Sequence, residues 1–281
     1  MSRTLIVSRR ERVLLAVLAV FTAVAIAGFA IFALHPERLA GVPNAAATYG
    51  LAMALFPRGH ILLGFLAIAV VLTRHVKWRW LPALGALYAT SLASELLGTT
   101  VGLPFGPYRY TPGLGAQWFE HVPVLIPLSW FTMATASFAL TRDWLGARRP
   151  AVTIAVASLV LAAWDLVLDP AMSKVTPYWI WGTGGPYYGM PLMNLFGWYL
   201  TGLALMGLLV ALRAGEWIDR LPPSALWSLG VIYAANLVLP MGLAIAGGMG
   251  GAALAAAGVL AATFAAARLL RPRLSPAMAS Q

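Results

Sequence analysis

The chain has 281 residues and a formal charge of +10, with 60% of its residues apolar and only 10% charged. Soluble domains carry about a quarter charged residues, so this composition excludes an ordinary water-soluble globule and points to an integral membrane protein. Cysteine is absent, which excludes disulfides and thiol chemistry, and the scattered His35, His60, His75 and His121 lack the spacing of a tight metal site.

In chain order, apolar runs long enough to span a bilayer are predicted at 13–34, 59–73, 81–98, 122–141, 151–169, 191–212, 224–244 and 249–268. The first run follows Arg3, Arg9, Arg10 and Arg12 and has the outline of a signal peptide. It is long enough to span, and it is read as a retained first helix. Residues 44–56 are apolar but too short to span beside their neighbour, so an interfacial or re-entrant helix is predicted there. The basic residues fall in short clusters between the runs, which argues for topology and against nucleic acid. With the N-terminus inside, 15 Lys and Arg fall on the inner side, while Arg38, Arg58, Arg109 and Lys174 make 4 outside. The expected fold is an all-α polytopic membrane helical bundle of about eight transmembrane helices with both termini cytoplasmic. It forms one domain over 1–281, with tails at 1–12 and 272–281 and outer loops at 99–123 and 171–191.

Glu11, Glu37, Glu120, Asp143, Glu216 and Asp219 fall in loops or at helix ends, where a solvated or headgroup role is expected. Three acids remain inside the spans. The third helix runs outward from Leu81 and carries Glu95 about 21 Å along at 1.5 Å per residue. The fifth carries Asp165 and Asp169, which share a face as an i, i+4 pair at a similar depth. Pro170 predicts that this helix ends near Asp169. An ionisable residue at membrane depth is a functional candidate. The structural alternative pairs these acids with Arg109, Lys174 or His121. Since the three acids exceed the two permanent cations, one carboxyl is expected to keep its proton.

Above the acids lie two loops rich in Gly, Pro and aromatics. The first is Gly98-Thr-Thr-Val-Gly-Leu-Pro-Phe-Gly-Pro-Tyr-Arg-Tyr-Thr-Pro112, in which Tyr108 and Tyr110 flank Arg109 as aromatic faces for a cation. The second carries Tyr178, Trp179, Trp181 and Gly184-Gly-Pro-Tyr-Tyr-Gly-Met-Pro191, with Asn194 just beyond. These aromatics fit either an interfacial belt or the wall of an apolar ligand pocket. For Asn236 two readings stand, an interhelical hydrogen bond and a site role.

Four blocks taken together resemble the CruF-type carotenoid 1,2-hydratases of carotenoid biosynthesis. They are Glu95-Leu-Leu-Gly-Thr-Thr-Val-Gly-Leu-Pro-Phe-Gly-Pro-Tyr-Arg-Tyr110, Val122-Pro-Val-Leu-Ile-Pro-Leu-Ser-Trp130, Trp164-Asp-Leu-Val-Leu-Asp-Pro-Ala-Met172 and Gly185-Pro-Tyr-Tyr-Gly-Met-Pro-Leu-Met-Asn194. The resemblance covers roughly residues 85–207 and implies a bacterial cytoplasmic-membrane enzyme without a cofactor. Such an enzyme adds water across the C1,C2 double bond of an acyclic ψ end, as in γ-carotene-type or lycopene-type substrates. The catalytic candidates are Asp165, Asp169 and Glu95: one aspartate gives a proton, the other orients or deprotonates water, and Glu95 holds the water or shares the proton. Phe105, Tyr108, Trp164 and Tyr187 are expected to surround the carbocation, with Arg109, Tyr188 and Asn194 as further substrate-binding candidates. The expected partners are a carotenoid drawn from the bilayer, water, membrane lipid and other carotenoid enzymes, with no metal and no nucleic acid. Two other classes share the acids. An intramembrane prenyltransferase would use Asp-x-x-x-Asp in a magnesium-diphosphate site, and a proton-coupled transporter would use buried acids as a relay.

Overall fold

A computed structural model describes residues 7–146 and 149–270. Arg3, Arg148, Arg271, Arg273 and the tail 272–281 lie outside the described residues. The chain runs through α1 (Arg9–Gly28), α2 (Ala45–Val76), α3 (Leu81–Val101), β1 (Tyr108–Tyr110), β2 (Gln117–Trp118), β3 (Val122–Pro123), α4 (Ile126–Leu145) and α5 (Pro150–Pro170). It continues through β4 (Trp179–Trp181), α6 (Leu192–Ala211), α7 (Ala214–Ile218), α8 (Pro223–Ala246) and α9 (Gly250–Leu270). Eight of these helices reach 20 residues or more among the described residues. Six are long and apolar enough to cross a membrane, with α3 and α4 falling short. The reason is visible in α4, whose run from Trp130 to Ala139 is buried throughout. A helix sheathed by protein needs no lipid-compatible surface, so Thr132, Thr135, Ser137 and Thr141 are accommodated on it.

α5 is the hub, packing against α4, α6, α8 and α9, while α1 packs against α2 and α8 at the rim. The chain start is helical sooner than a tail over 1–12 implies. Ser8 and Glu11 form a reciprocal capping box at the head of α1. Glu11 is buried rather than solvated, because Arg74 of α2 reaches it at 3.1 Å and fastens the two helices together.

Two boundaries differ from expectation, and both involve proline. Residues 44–56 form no separate interfacial helix, since α2 continues through Pro57 for 32 residues. At 1.5 Å per residue that is about 48 Å, well beyond the roughly 30 Å apolar core of a bilayer. α5 likewise does not stop at Asp169: it includes Pro170 and passes into a π-helical turn, Ala171–Val175. A second π turn, Phe29–Ala33, extends α1.

Candidate active site

α3 brings Glu95 and α5 brings Asp165 and Asp169 to the underside of a two-stranded antiparallel sheet. β1 and β4 pair with Tyr108 opposite Trp181, Arg109 opposite Ile180 and Tyr110 opposite Trp179. Successive strand residues point to opposite faces, so Tyr108, Tyr110, Trp179 and Trp181 face inward while Arg109 and Ile180 face out. Each strand then serves a different acid. Tyr108 and Tyr110 donate to Glu95 Oε2, the latter at 2.8 Å, and Trp130 of α4 donates to Oε1 at 2.8 Å. Trp179 and Trp181 donate to Asp169 at 3.1 and 3.0 Å, and Ser173 of the π turn adds a third bond at 3.0 Å. Burial, followed by the Glu95 carboxyl beside them, holds the Tyr108 and Tyr110 phenols well above the usual tyrosine range. Both therefore stay protonated and remain donors.

Asp165 is held differently. It is fully buried, its Oδ2 accepts one bond from Asn194 at 2.7 Å, and its Oδ1 has no protein partner among the described residues. None of the three acids meets Arg109, Lys174 or His121 in an ion pair among the described residues. The structural pairing considered for them is replaced by neutral indole, phenol, hydroxyl and amide donors.

Two of the acids face a chamber of about 90 Å³ lined by Glu95, Asp169 and Asn194 together with Phe105, Tyr108, Trp130, Trp164 and Trp198. Asp165 is not in that wall; it sits behind Asn194. Trp130 stacks on Trp198 at 4.0 Å, and Trp164 meets Trp198 edge-on at 5.7 Å. Phe105 seals one side because two glycines admit it. A Cβ at Gly98 of α3 would lie 2.8 Å from both Phe105 and Tyr108, and one at Gly197 of α6 would lie 2.7 Å from Phe105 and the Pro104 carbonyl. His60 of α2 also reaches the wall. Its Nε2 is 2.9 Å from Thr22 Oγ1, whose own proton goes to the Leu18 carbonyl at 2.8 Å, so Nε2 carries the hydrogen and donates.

Three helices carry an internal proline near this chamber, and each is repaired in the same way. A proline lacks the N–H that would satisfy the carbonyl four residues earlier. For Pro57 that carbonyl is Met53, which accepts from the Tyr178 hydroxyl at 2.9 Å. For Pro170 it is Leu166, which accepts from Tyr187 at 2.8 Å. For Pro240 it is Asn236, which accepts from the Trp164 indole at 2.9 Å. Burial pushes the Tyr178 and Tyr187 phenols up to about 12, so neither loses its donor. These aromatic donors explain why α2 and α5 run past their prolines. Trp164→Phe leaves the Asn236 carbonyl unpaired and is expected to lower stability by about 1–3 kcal/mol, read as a lower thermal midpoint in detergent.

Of the substrate-binding candidates, Phe105, Tyr108, Trp164 and Asn194 line the chamber, whereas Arg109, Tyr187 and Tyr188 do not. Arg109 stands on the outer face of β1, as strand alternation requires, and Arg109→Gln is expected to change turnover by no more than about twofold. Tyr187 spends its hydroxyl on Leu166, and Tyr188 packs its hydroxyl end against Gly251 of α9. Tyr110, Trp130, Ser173, Trp179 and Trp181 bind the acids without having been singled out as site residues. For Tyr110, Trp179 and Trp181 the signal was the alternation in Tyr-Arg-Tyr and Trp-Ile-Trp, too short by itself to mark a strand; Trp130 and Ser173 gave none. Asn236 turns its amide to the Ile232 carbonyl of its own helix at 2.9 Å rather than across to another, and it lines the chamber.

The bundle and its apolar helices define the chain as a helical membrane protein. Residues 56–263 match the family model described as carotenoid biosynthesis protein, and the chain belongs to that family. It is 33% identical over 122 residues to a bisanhydrobacterioruberin hydratase of Haloarcula japonica, a stretch covering 43% of this chain and 41% of that relative. The chain thus spans less than half the length of the curated relative it matches. No solved structure matches it. The resemblance to carotenoid hydratases noted in the four blocks is borne out at the level of the family.

Proposed function

We propose that the protein is a carotenoid 1,2-hydratase that adds water to the C1,C2 double bond of an acyclic ψ end group, in substrates of the γ-carotene or lycopene type, without a cofactor. The observation that carries this reading is the β1–β4 pairing, which holds Glu95 and Asp169 at one aromatic chamber too small for more than a few waters. Protonation of C2 leaves a tertiary cation at C1; water attacks C1 and gives up a proton, so the product gains one H₂O. The two carboxyl groups on the chamber wall take these roles. Asp169 gives its proton to C2, and Glu95, oriented by two phenols and an indole, receives the proton lost by water. Asp165, one turn from Asp169 on α5, shares no hydrogen bond with it and acts on it through charge. The faces of Trp130, Trp164 and Trp198 offer the cation π density instead of competing nucleophiles.

The side chains favour this reading over diphosphate chemistry. Among the described residues no Lys or Arg lines the chamber, and both Asp169 oxygens are occupied by indole and hydroxyl donors. The chain would work as an eight-span protein of a bacterial cytoplasmic membrane with both termini inside. Reporter fusions at the two ends should report the cytoplasm at each. The decisive experiment is expression in cells that accumulate an acyclic carotenoid, with pigments read by mass spectrometry. A gain of one water is expected, and unchanged pigment beside well-folded protein overturns the proposal.

A further inference from the structure

A second and larger cavity adjoins the acid chamber. It measures about 440 Å³ and is walled by α1, α2, α8 and the two π turns, with Gly28, Phe29, Ala52, Phe56 and Leu243 among its lining residues. Among the described residues no charged side chain lines it. Pro57, Met172, Tyr178 and Leu239 belong to the walls of both spaces, so these four residues form the boundary, or neck, where the two meet. The cavity also opens sideways: Val24, Phe32 and Val42 line it and are each more than a third exposed on the flank of the bundle.

We propose that this cavity is the binding groove for the apolar body of the substrate, an elongated polyene that enters from the lipid between α1 and α2 and passes its end through the neck to Asp169 and Glu95. The inference rests on the hydratase reading and adds to it the place of the chain that the small chamber cannot hold. Three features of the groove support one occupant of this chemistry. Its wall is continuous with the acid chamber, which a lipid tail has no reason to reach. Its lining is apolar along the flank, as an unfunctionalised hydrocarbon requires. Both π-helical turns contribute to it, Phe29 and Phe32 from one and Met172 from the other, and such turns gather at functional sites. The neck is also braced, because Tyr178 is tied to Met53 by the bond that repairs Pro57.

Gly28 supplies the test. It is helical, it lines the groove, and a Cβ placed on it meets nothing within 4 Å, so a larger side chain grows into the groove without disturbing the packing. Purified Gly28→Phe and wild type are compared in nanodiscs on a full-length acyclic carotenoid and on a short acyclic terpenoid bearing the same terminal trisubstituted alkene. The ratio of kcat/KM for the long substrate to that for the short one is expected to fall about tenfold or more in the variant. An unchanged ratio overturns the groove. Quenching of tryptophan fluorescence by the polyene gives a second readout that needs no turnover. If the wild type hydrates neither substrate, the hydratase reading fails, yet weaker polyene binding by Gly28→Phe still upholds the groove and equal binding refutes it. Phospholipid that stays bound in the groove when polyene is added also refutes it.

Discussion

Asp169→Asn is expected to reduce hydration by about 10²–10⁴-fold, the range lost when a positioned proton donor is removed. The substitution keeps the shape of the side chain but takes away the transferable proton. It also puts an amide N–H where an indole N–H or the Ser173 hydroxyl is already pointing. Glu95→Gln should fall in the same range for the complementary reason, since water then has no carboxylate to receive its proton. Asp165→Asn should be milder, about tenfold, because Asp165 lies behind Asn194 and acts through its neighbour. Pigment analysis of the three variants at matched protein level provides the ranking. A loss at Asp165 as severe as at Asp169 would overturn the assignment of the chemistry to the chamber wall, and full activity in all three would remove the acids from the mechanism.

Gly197→Val is expected to combine a loss of stability with a loss of turnover. Its Cβ would press on the Pro104 carbonyl and the Phe105 ring at 2.7 Å, and the carbonyl is backbone that cannot swing aside. Overpacking of this kind costs about 1–3 kcal/mol. Relief by moving Phe105 shifts one wall of the chamber, and a displacement near 1 Å at a reacting centre costs on the order of 10²-fold in rate. Gly207→Val, on the same helix where a Cβ meets nothing within 4 Å, is the matched control and should change stability by no more than about 0.5 kcal/mol. Thermal midpoints and product yield for the pair separate the effect of the site from that of the substitution itself.

The long helices were legible because lipid demands unbroken apolar runs, and the acids stood out because they interrupt such runs at depth. What escaped notice required a partner distant in sequence. Tyr108 and Trp181 are cross-strand neighbours only once α4 and α5 have been folded between them, and three residues of alternation are too few to announce a strand. Pro170 misled for a related reason. It is a helix breaker by local rule, and only the arrival of Tyr187 from a loop lets α5 continue. Glu11 is a different case, since the Ser8-x-x-Glu11 spacing was in plain view and marks a helix start. His60 gave no signal at all: it is one histidine in an apolar run, defined only by Thr22 on another helix.

The mended prolines tie substrate range to helix shape. Tyr178, Tyr187 and Trp164 each satisfy a carbonyl that a proline leaves open, and two of them also line the cavities, so altering either for a bulkier or slimmer guest unpairs a helix carbonyl at the same stroke. Under the proposed groove, retuning toward longer or shorter polyenes should therefore be sought at positions that donate nothing, such as Gly28, Ala52 and Leu243, where a change of girth leaves those carbonyls paired.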